Sequence, residues 1–453
     1  MKPSILVLYD PYCLHTLTVL EHLNSFGIYL DAKVHYCAAV DHAKPMISFG
    51  DYDAIIIHYS VRVALGWHIS PEIETELLAY QGPLAMFVQD EYDNVNQTHV
   101  FIDRHKPNLF FTCVPKAYRE KIYPTDKFPN IKFVQNLTGY VPANYTTGKT
   151  HWKPLEERAN LIGYRGRKLP AQYGKLGREK FTIAKSVRDY CQAHNHSVDI
   201  EWEDTKRIYN DDWYKFLSNS RASLGTESGS NVFDFKGEIY ENIQAHLTKS
   251  PEAGFDELWK NHVKPYDDFI RMNQISPRLF ECIALGTVLV LFEGDYSGIL
   301  KPHIHYIPLK KDFSNISEVM AMLYDNEVCE QLRQKAYDDV VQSGKYSYAA
   351  FIRKVCSETT KVLPRGSILR LKQKPDVIKS HILLPRPATY RIHGLATNYP
   401  IDVTDFSVTP APPQSTTSTA SSPQAYPKTL SRLAPFFPHA LKRPIKSIFF
   451  KTK

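Results

Sequence analysis

Short apolar runs alternate with helix-patterned segments over the first 140 residues. No other feature restricts the fold of this chain as much. The runs are Ile5–Tyr9, Lys33–Ala38, Ala54–Tyr59, Leu84–Val88, Leu109–Cys113 and Ile131–Gln135. Between them lie helix-like stretches such as Thr16–Phe26, with Leu17, Leu20 and Leu23 at helical spacing, Pro71–Tyr80 and Pro115–Tyr123. Strands that are apolar on both faces must be covered on both faces, and helices that recur between strands supply the cover. The pattern therefore predicts a parallel sheet inside two helical layers. A polar stretch with Pro and Gly at 141–157 reads as a linker, and a second series then begins. It contains strands at Asn160–Tyr164, Val198–Trp202, Ala222–Gly225, Val288–Phe292 and Ile304–Leu309. Its helices fall at Gly177–Ala193, Asp211–Ser218, 237–263, Pro277–Leu285 and onward to about Val362. The expectation is an α/β fold of two doubly wound, Rossmann-like domains, residues 1–145 and 146–362, facing a cleft. A tail follows at 363–453. A length of 453 residues suits two such domains.

The formal charge of +7 is unevenly placed. Residues 361–453 hold 15 Lys/Arg against 3 Asp/Glu, so the tail is net +12 and the rest of the chain net −5. A body of that sign does not coat nucleic acid. Residues 406–427 carry no charge and five prolines, with a Ser/Thr run, and predict a flexible or polyproline-II-like linker. The following Leu430–Lys453 interleaves six Lys/Arg with Leu433, Phe436, Phe437, Ile445, Phe449 and Phe450 and has no acid. That composition fits the interface of an anionic membrane. Seven cysteines with no C-x-x-C pair are expected to be buried thiols of a cytoplasmic protein. The N-terminus has no signal-peptide pattern, and no apolar run approaches 18 residues. The chain is thus expected in the cytoplasm, peripheral on the inner face of the cell membrane.

The most informative segment is Ser276-Pro-Arg-Leu-Phe-Glu-Cys-Ile-Ala-Leu-Gly, followed by the strand Val288–Phe292. Ser276 suits an N-cap, Pro277 the first helical position and Gly286 the residue after the C-cap. Arg278 then lies at a helix start, where a diphosphate binds well. Glu281 lies nearby, expected to stay ionised and able to accept hydrogen bonds from a ribose diol. The pattern R-x-F-E-x-x-A-x-G before an apolar strand resembles the donor-binding signature of GT-B glycosyltransferases, in the group-1 and CgeB-like branch. Phe313-Ser-Asn-Ile-Ser-Glu and Tyr346-Ser-Tyr-Ala-Ala-Phe are similar to later segments of that family. The resemblance covers about 160–360. It implies transfer of a sugar from a nucleotide-diphosphate sugar, with Glu281 binding the ribose and Ser276, Arg278 and Leu279 in the donor site. Many retaining relatives carry a Glu eight residues before this one. Here the position is Asn273, which leaves the stereochemical outcome open.

Two further loops are candidates for the donor side. Gly163-Tyr-Arg-Gly-Arg-Lys ends the first strand of the second domain and offers Gly163, Arg165, Arg167 and Lys168 to a diphosphate leaving group, which needs fixed cations where no metal is used. Gly225-Thr-Glu-Ser-Gly-Ser-Asn follows another strand and offers Thr226, Ser230 and Asn231. The acceptor side needs a base for the acceptor hydroxyl. Phe87-Val-Gln-Asp-Glu-Tyr-Asp supplies the candidates Asp90 and Glu91, with Asp10 and His58 behind them. Asp51-Tyr-Asp53 precedes its strand and reads as a turn, and the His194/His196 and His303/His305 pairs have no third ligand nearby. No cofactor and no metal are expected. The partners expected are a nucleotide-sugar donor, a glycan or lipid-linked acceptor and an anionic membrane surface. The rival functions are a GT-B-like sugar-nucleotide isomerase or hydrolase, and a non-enzymatic sugar-binding protein.

Overall fold

The computed structural model of the chain describes residues 2–373, apart from positions 46, 67, 147, 150 and 363–368, together with the backbone of 391–392 and 395–396. The expected linker at 406–427 and the basic segment at 430–453 lie outside the described residues.

Six strands form the first sheet: β1 (Ser4–Tyr9), β2 (Lys33–Ala38), β3 (Ala54–Ile57), β4 (Leu84–Phe87), β5 (Leu109–Thr112) and β6 (Lys132–Gln135). Their order is β2-β1-β3-β4-β5-β6 and every pairing is parallel. The central strands β3, β4 and β5 are buried at every position. This is why their sequences show no polar alternation. Helices α1 (Leu17–Tyr29), α2 (Pro71–Ala79), α3 (Val95–His105) and α4 (Arg119–Ile122) connect them. Ser70 caps α2 by accepting from the Ile73 N–H, with Pro71 at the first helical position.

Five strands form the second sheet: β7 (Asn160–Arg165), β8 (Val198–Glu201), β9 (Ser220–Gly225), β10 (Val288–Phe292) and β11 (Ile307–Leu309). The order is β11-β10-β9-β7-β8, again all parallel. Around it run α5 (Gly174–Ala193), α6 (Asp211–Ser218), α7 (Glu238–Lys249), α8 (Phe255–Leu258), α9 (Pro277–Ala284), α10 (Ile316–Tyr324) and α11 (Asn326–Ala336). Two doubly wound α/β domains thus face each other, the GT-B arrangement expected from the sequence. Connections leave in opposite directions from β1 and β3, and from β7 and β9. These switch points open crevices at the strands' carboxyl ends.

The boundary expected at 362 is not where the packing changes. The last helix among the described residues, α12 (Tyr348–Thr360), returns to the first domain. Its Phe351, Ile352 and Val355 join the core of Ile5, Val7, Phe26 and Phe87, and the Phe351 ring lies 4.4 Å from that of His22. An amphipathic helix buries its stripe against whichever sheet face is uncovered, and sequence order does not dictate which. The two crossings between domains run side by side, with the Val141 N–H donating to the Tyr346 carbonyl at 2.9 Å. Gly139 makes the first crossing fit, because a Cβ there would lie 2.7 Å from the Pro277 Cβ.

Within the expected linker, Trp152 packs under the end of α9, its Nε1 donating to the Ala284 carbonyl at 3.0 Å. Gly286 is required twice: its φ is +65°, and a Cβ would meet the Trp152 ring at 2.4 Å. The segment after β9 is shared between domains. Val232, Ile239, Ile243, Leu258 and Val263 build a small core of their own, while Phe233, Ile270 and Met272 belong to the core of the first sheet.

Candidate functional site

At the switch point between β7 and β9, the strand ends and the start of α9 enclose a cavity of about 90 Å³. Tyr164, Gly166, Arg167, Lys180, Gly225, Thr226, Ser276, Arg278 and Leu279 line it. Three cations therefore converge on one small space. Ser276 is the N-cap residue of α9, yet its side chain makes no cap bond. The Arg278 guanidinium donates from Nη2 to the Arg165 carbonyl and lies over the rings of Tyr164 (4.7 Å) and Trp213 (5.4 Å). Its Nε is buried with no hydrogen-bond partner among the described residues. Lys180 extends from α5 and donates to Ser228 Oγ at 3.3 Å. Burial, then Arg278 and Arg167, press its ammonium down to about 8, against a smaller opposing pull from Asp90. Burial followed by Arg207 also lowers Arg167. A cation depressed by neighbouring cations in this way is relieved by an anion.

Not every expected donor residue reaches this cavity. Arg165 points away: its guanidinium pairs with Asp199 at 2.8 Å, donates to the Lys206 carbonyl at 2.9 Å and lies over Phe216. The expectation that it binds phosphate is corrected. The alternation of β7 sends Tyr164 one way and Arg165 the other. Gly163 is a packing position, where a Cβ would strike Ser220 Oγ at 2.0 Å. Lys168 lies over the Phe181 ring at 5.6 Å, outside the cavity lining. Ser230 donates to the Val232 carbonyl, and Asn231 is bonded to Asp268, Asn273 and the Met272 N–H. Both are internal ties of the loop. Asn273 is at φ +40° and donates to Glu227.

Glu281 is not among the residues that line the cavity; it faces the first domain. Thr18 Oγ1 of α1 donates to Oε1 at 2.9 Å and Trp213 Nε1 to Oε2 at 2.7 Å. It was expected to remain ionised beside a helix start. Burial instead raises its pKa, with the bonds from Trp213 and Thr18 opposing that rise. Glu21, one turn beyond Thr18, is pushed up to about 8 by burial and then by Glu281.

On the first-domain side, the adjacent candidates Asp90 and Glu91 have opposite surroundings. Asp90 is exposed, accepts from Tyr92 Oη at 2.8 Å and is felt electrostatically by both Arg167 and Lys180. Glu91 is 3% exposed. Thr112 Oγ1, the Cys113 N–H and Tyr123 Oη each donate to it at 2.6 Å. It ties β5 to the loop after β4, and burial lifts it to about 7. Its candidacy as base is corrected on that ground. Asp10 and His58 are also internal. Asp10 accepts from the Tyr12 N–H at 2.8 Å and faces His68 Nε2 at 3.3 Å, while His58 meets His22 and Ser60. Asp53 accepts from the Ser4 N–H at a turn before β3. Among the described residues, no group of three His, Cys, Asp or Glu is placed to hold a metal ion, and no helix is long and apolar enough to cross a membrane.

Lys180, Tyr164 and Glu227 were missed by the sequence reading. Lys180 lies on a helix whose polar residues look like solvated surface, and only the β7–α5 geometry turns it inward.

No protein-family model and no curated protein matches the chain. Similar solved structures include an alpha-glucosyltransferase (AGT) in complex with UDP, 11% identical, covering 79% of this chain and 100% of its own, with TM-score 0.49. The T4 phage beta-glucosyltransferase is 12% identical, covering 78% and 98%, with TM-score 0.42. The Anabaena protein HepE in complex with UDP and glucose is 9% identical, covering 79% and 100%, with TM-score 0.40.

Proposed function

We propose that the chain is a glycosyltransferase of the GT-B type. It would move a sugar from a nucleotide-diphosphate sugar to a glycan or lipid-linked acceptor in cell-surface polysaccharide synthesis. The observation that carries this reading is the convergence of Arg167, Lys180 and Arg278 on the cavity between β7 and β9. A sugar-nucleotide bond breaks with its electron pair going to the diphosphate, and three fixed cations stabilise the charge that develops there. They do so without requiring a metal. Glu281 keeps two lone-pair positions beyond those used by Thr18 and Trp213, and these suit the ribose hydroxyls. Asp90, exposed across the cleft, takes the proton of the acceptor hydroxyl as its oxygen bonds to the sugar carbon. Closure of the two domains holds donor and acceptor together and keeps water out.

A melting-temperature screen of the full chain against UDP, GDP, dTDP and CMP tests the donor site. One diphosphate should raise the melting temperature, since ligand at about 100 times its Kd adds about 2.7 kcal/mol. Arg278→Ala should remove that rise while leaving the unliganded protein folded. Absence of any rise with a diphosphate overturns the reading. The basic tail would hold the enzyme at an anionic bilayer. The full chain should then co-sediment with anionic vesicles, and a chain lacking 406–453 should remain in the supernatant. Equal sedimentation of both removes that role.

A further inference from the structure

Beside the cavity, one buried carboxylate joins three loops. Glu227 is 4% exposed and follows the cavity-lining Thr226. Its Oε1 accepts from the Asp295 N–H at 2.8 Å and the Tyr296 N–H at 2.9 Å, and its Oε2 accepts from Asn273 Nδ2. Gly294 permits this seat, because a Cβ there would lie 2.6 Å from the Glu227 carboxyl carbon. The backbone around it is strained. Asn273, Tyr296 and Ser297 all have positive φ, at +40°, +48° and +58°. Such conformations cost energy and persist where the surroundings enforce them. The enforcing contacts are the Glu227 carboxylate and Ser297 Oγ, which accepts from the Ile275 N–H at 3.1 Å. The next residue, Ser228, pairs with Gln274 through two backbone hydrogen bonds of 2.7 and 2.9 Å. Its hydroxyl accepts from Lys180.

We infer that Glu227 is a positioning residue of the donor site. Resting on the donor reading above, it fixes the distance between the Thr226–Ser228 wall, which orients Lys180, and the Asn273–Ser276 wall, which leads into Arg278. It touches no substrate. Its chemistry is specific to a carboxylate, because all three of its partners are donors. A glutamine of the same size cannot satisfy them. With its oxygen toward the two backbone N–H groups, its amide nitrogen faces the Asn273 amide nitrogen. Turning it over loses two bonds in place of one. Turning Asn273 over moves the conflict to Asn231 Nδ2, which donates to Asn273 Oδ1 at 3.2 Å. The double change Glu227→Gln with Asn273→Asp resolves it, since every donor again meets an acceptor.

The full chain and both variants are titrated with UDP, and with inorganic pyrophosphate as a probe independent of the base. Glu227→Gln should weaken both about tenfold, the worth of one buried hydrogen bond to a charged group. The double variant should recover to within about twofold. In turnover, the single variant should raise KM for the donor and leave kcat unchanged, and its melting temperature should lie below that of the double variant, which regains the lost bond. If wild-type protein binds and Glu227→Gln binds equally well, or if the double variant is no better than the single, the inference falls and the donor reading stands. If the wild type binds neither probe, the donor reading itself falls and takes this inference with it.

Discussion

At the scale of single residues, the proposed donor site makes Lys180 the group that sets how binding responds to pH. Its ammonium titrates near 8 in the free protein because it is buried beside Arg278 and Arg167. A bound diphosphate favours the charged form and raises that value. Below pH 8 the lysine is protonated both free and bound, so affinity is full and level. Above pH 8 the free lysine is neutral and must take up a proton to bind, so affinity declines by as much as about tenfold per pH unit. Calorimetric titration from pH 7 to 9 should show this decline in wild-type protein. Lys180→Met should bind more weakly at pH 7 and show no comparable decline. A wild-type affinity that stays level to pH 9 refutes the assignment. The same scale shows what the sequence could and could not disclose. The placement of Arg278, Ser276 and Thr226 at the cavity follows from a cap signal and a strand end, which the sequence displays. Arg165 and Arg167 were indistinguishable by charge; Arg165 is the last residue of β7 and is tied to Asp199 of β8, while Arg167 lies in the loop beyond the strand and reaches the cavity. Asp90 and Glu91 differ only in which side of a loop they occupy, a matter of which donors wait on the inner side. Thr112 and Tyr123, which claim Glu91, lie 21 and 32 residues away.

At the scale of elements, the strands were legible nearly to the residue, because continuous apolar runs have one good use in an α/β chain. Val288–Phe292 was expected and is β10, and Asp211–Ser218 was expected and is α6. Two segments depart from the expectation, each for its own reason. Ile304–Leu309 contracts to Ile307–Leu309, since His303 takes φ +59° and the Lys301–Tyr306 stretch closes on itself as a turn. The segment expected to be helical at 237–263 divides into α7, α8 and a π-helical turn at Trp259–Val263, with Pro251 and Gly254 breaking it. The destination of α12 was illegible, because the stripe of Phe351, Ile352 and Val355 states that the helix packs without stating where. Its partner face is built more than 300 residues earlier, by α1 and β1.

At the scale of the whole molecule, the two domains are tied at a further place besides the paired crossings and the Thr18–Glu281 bond. The Asp234 N–H donates to the Tyr92 carbonyl at 2.8 Å, the Val95 N–H to the Asp234 carbonyl at 3.2 Å and the Asn96 N–H to the Phe235 carbonyl at 2.9 Å. Phe233, Ile270 and Met272 are inserted into the core of the first sheet, and Lys121 Nζ donates to the Phe269 carbonyl at 3.3 Å. These ties begin within ten residues of Thr226, so the wall of the cavity between β7 and β9 is anchored to the opposite domain. The cleft cannot open as two rigid halves without either breaking this clamp or deforming the cavity. On the proposed donor reading, opening and ligand affinity are coupled through Phe233, which is 3% exposed. Phe233→Ala removes a ring from a packed core, a loss of about 3–5 kcal/mol when fully felt. Felt locally, it should speed hydrogen exchange at the Asp234, Val95 and Asn96 amides by about 100-fold or more while β3, β4, β9 and β10 stay protected. UDP affinity should fall in the same variant, although Phe233 is not among the residues that line the cavity. Exchange that quickens equally in both sheets would mean a general loss of stability, and exchange that does not quicken would mean no clamp. Either outcome separates the donor cavity from the opposite domain.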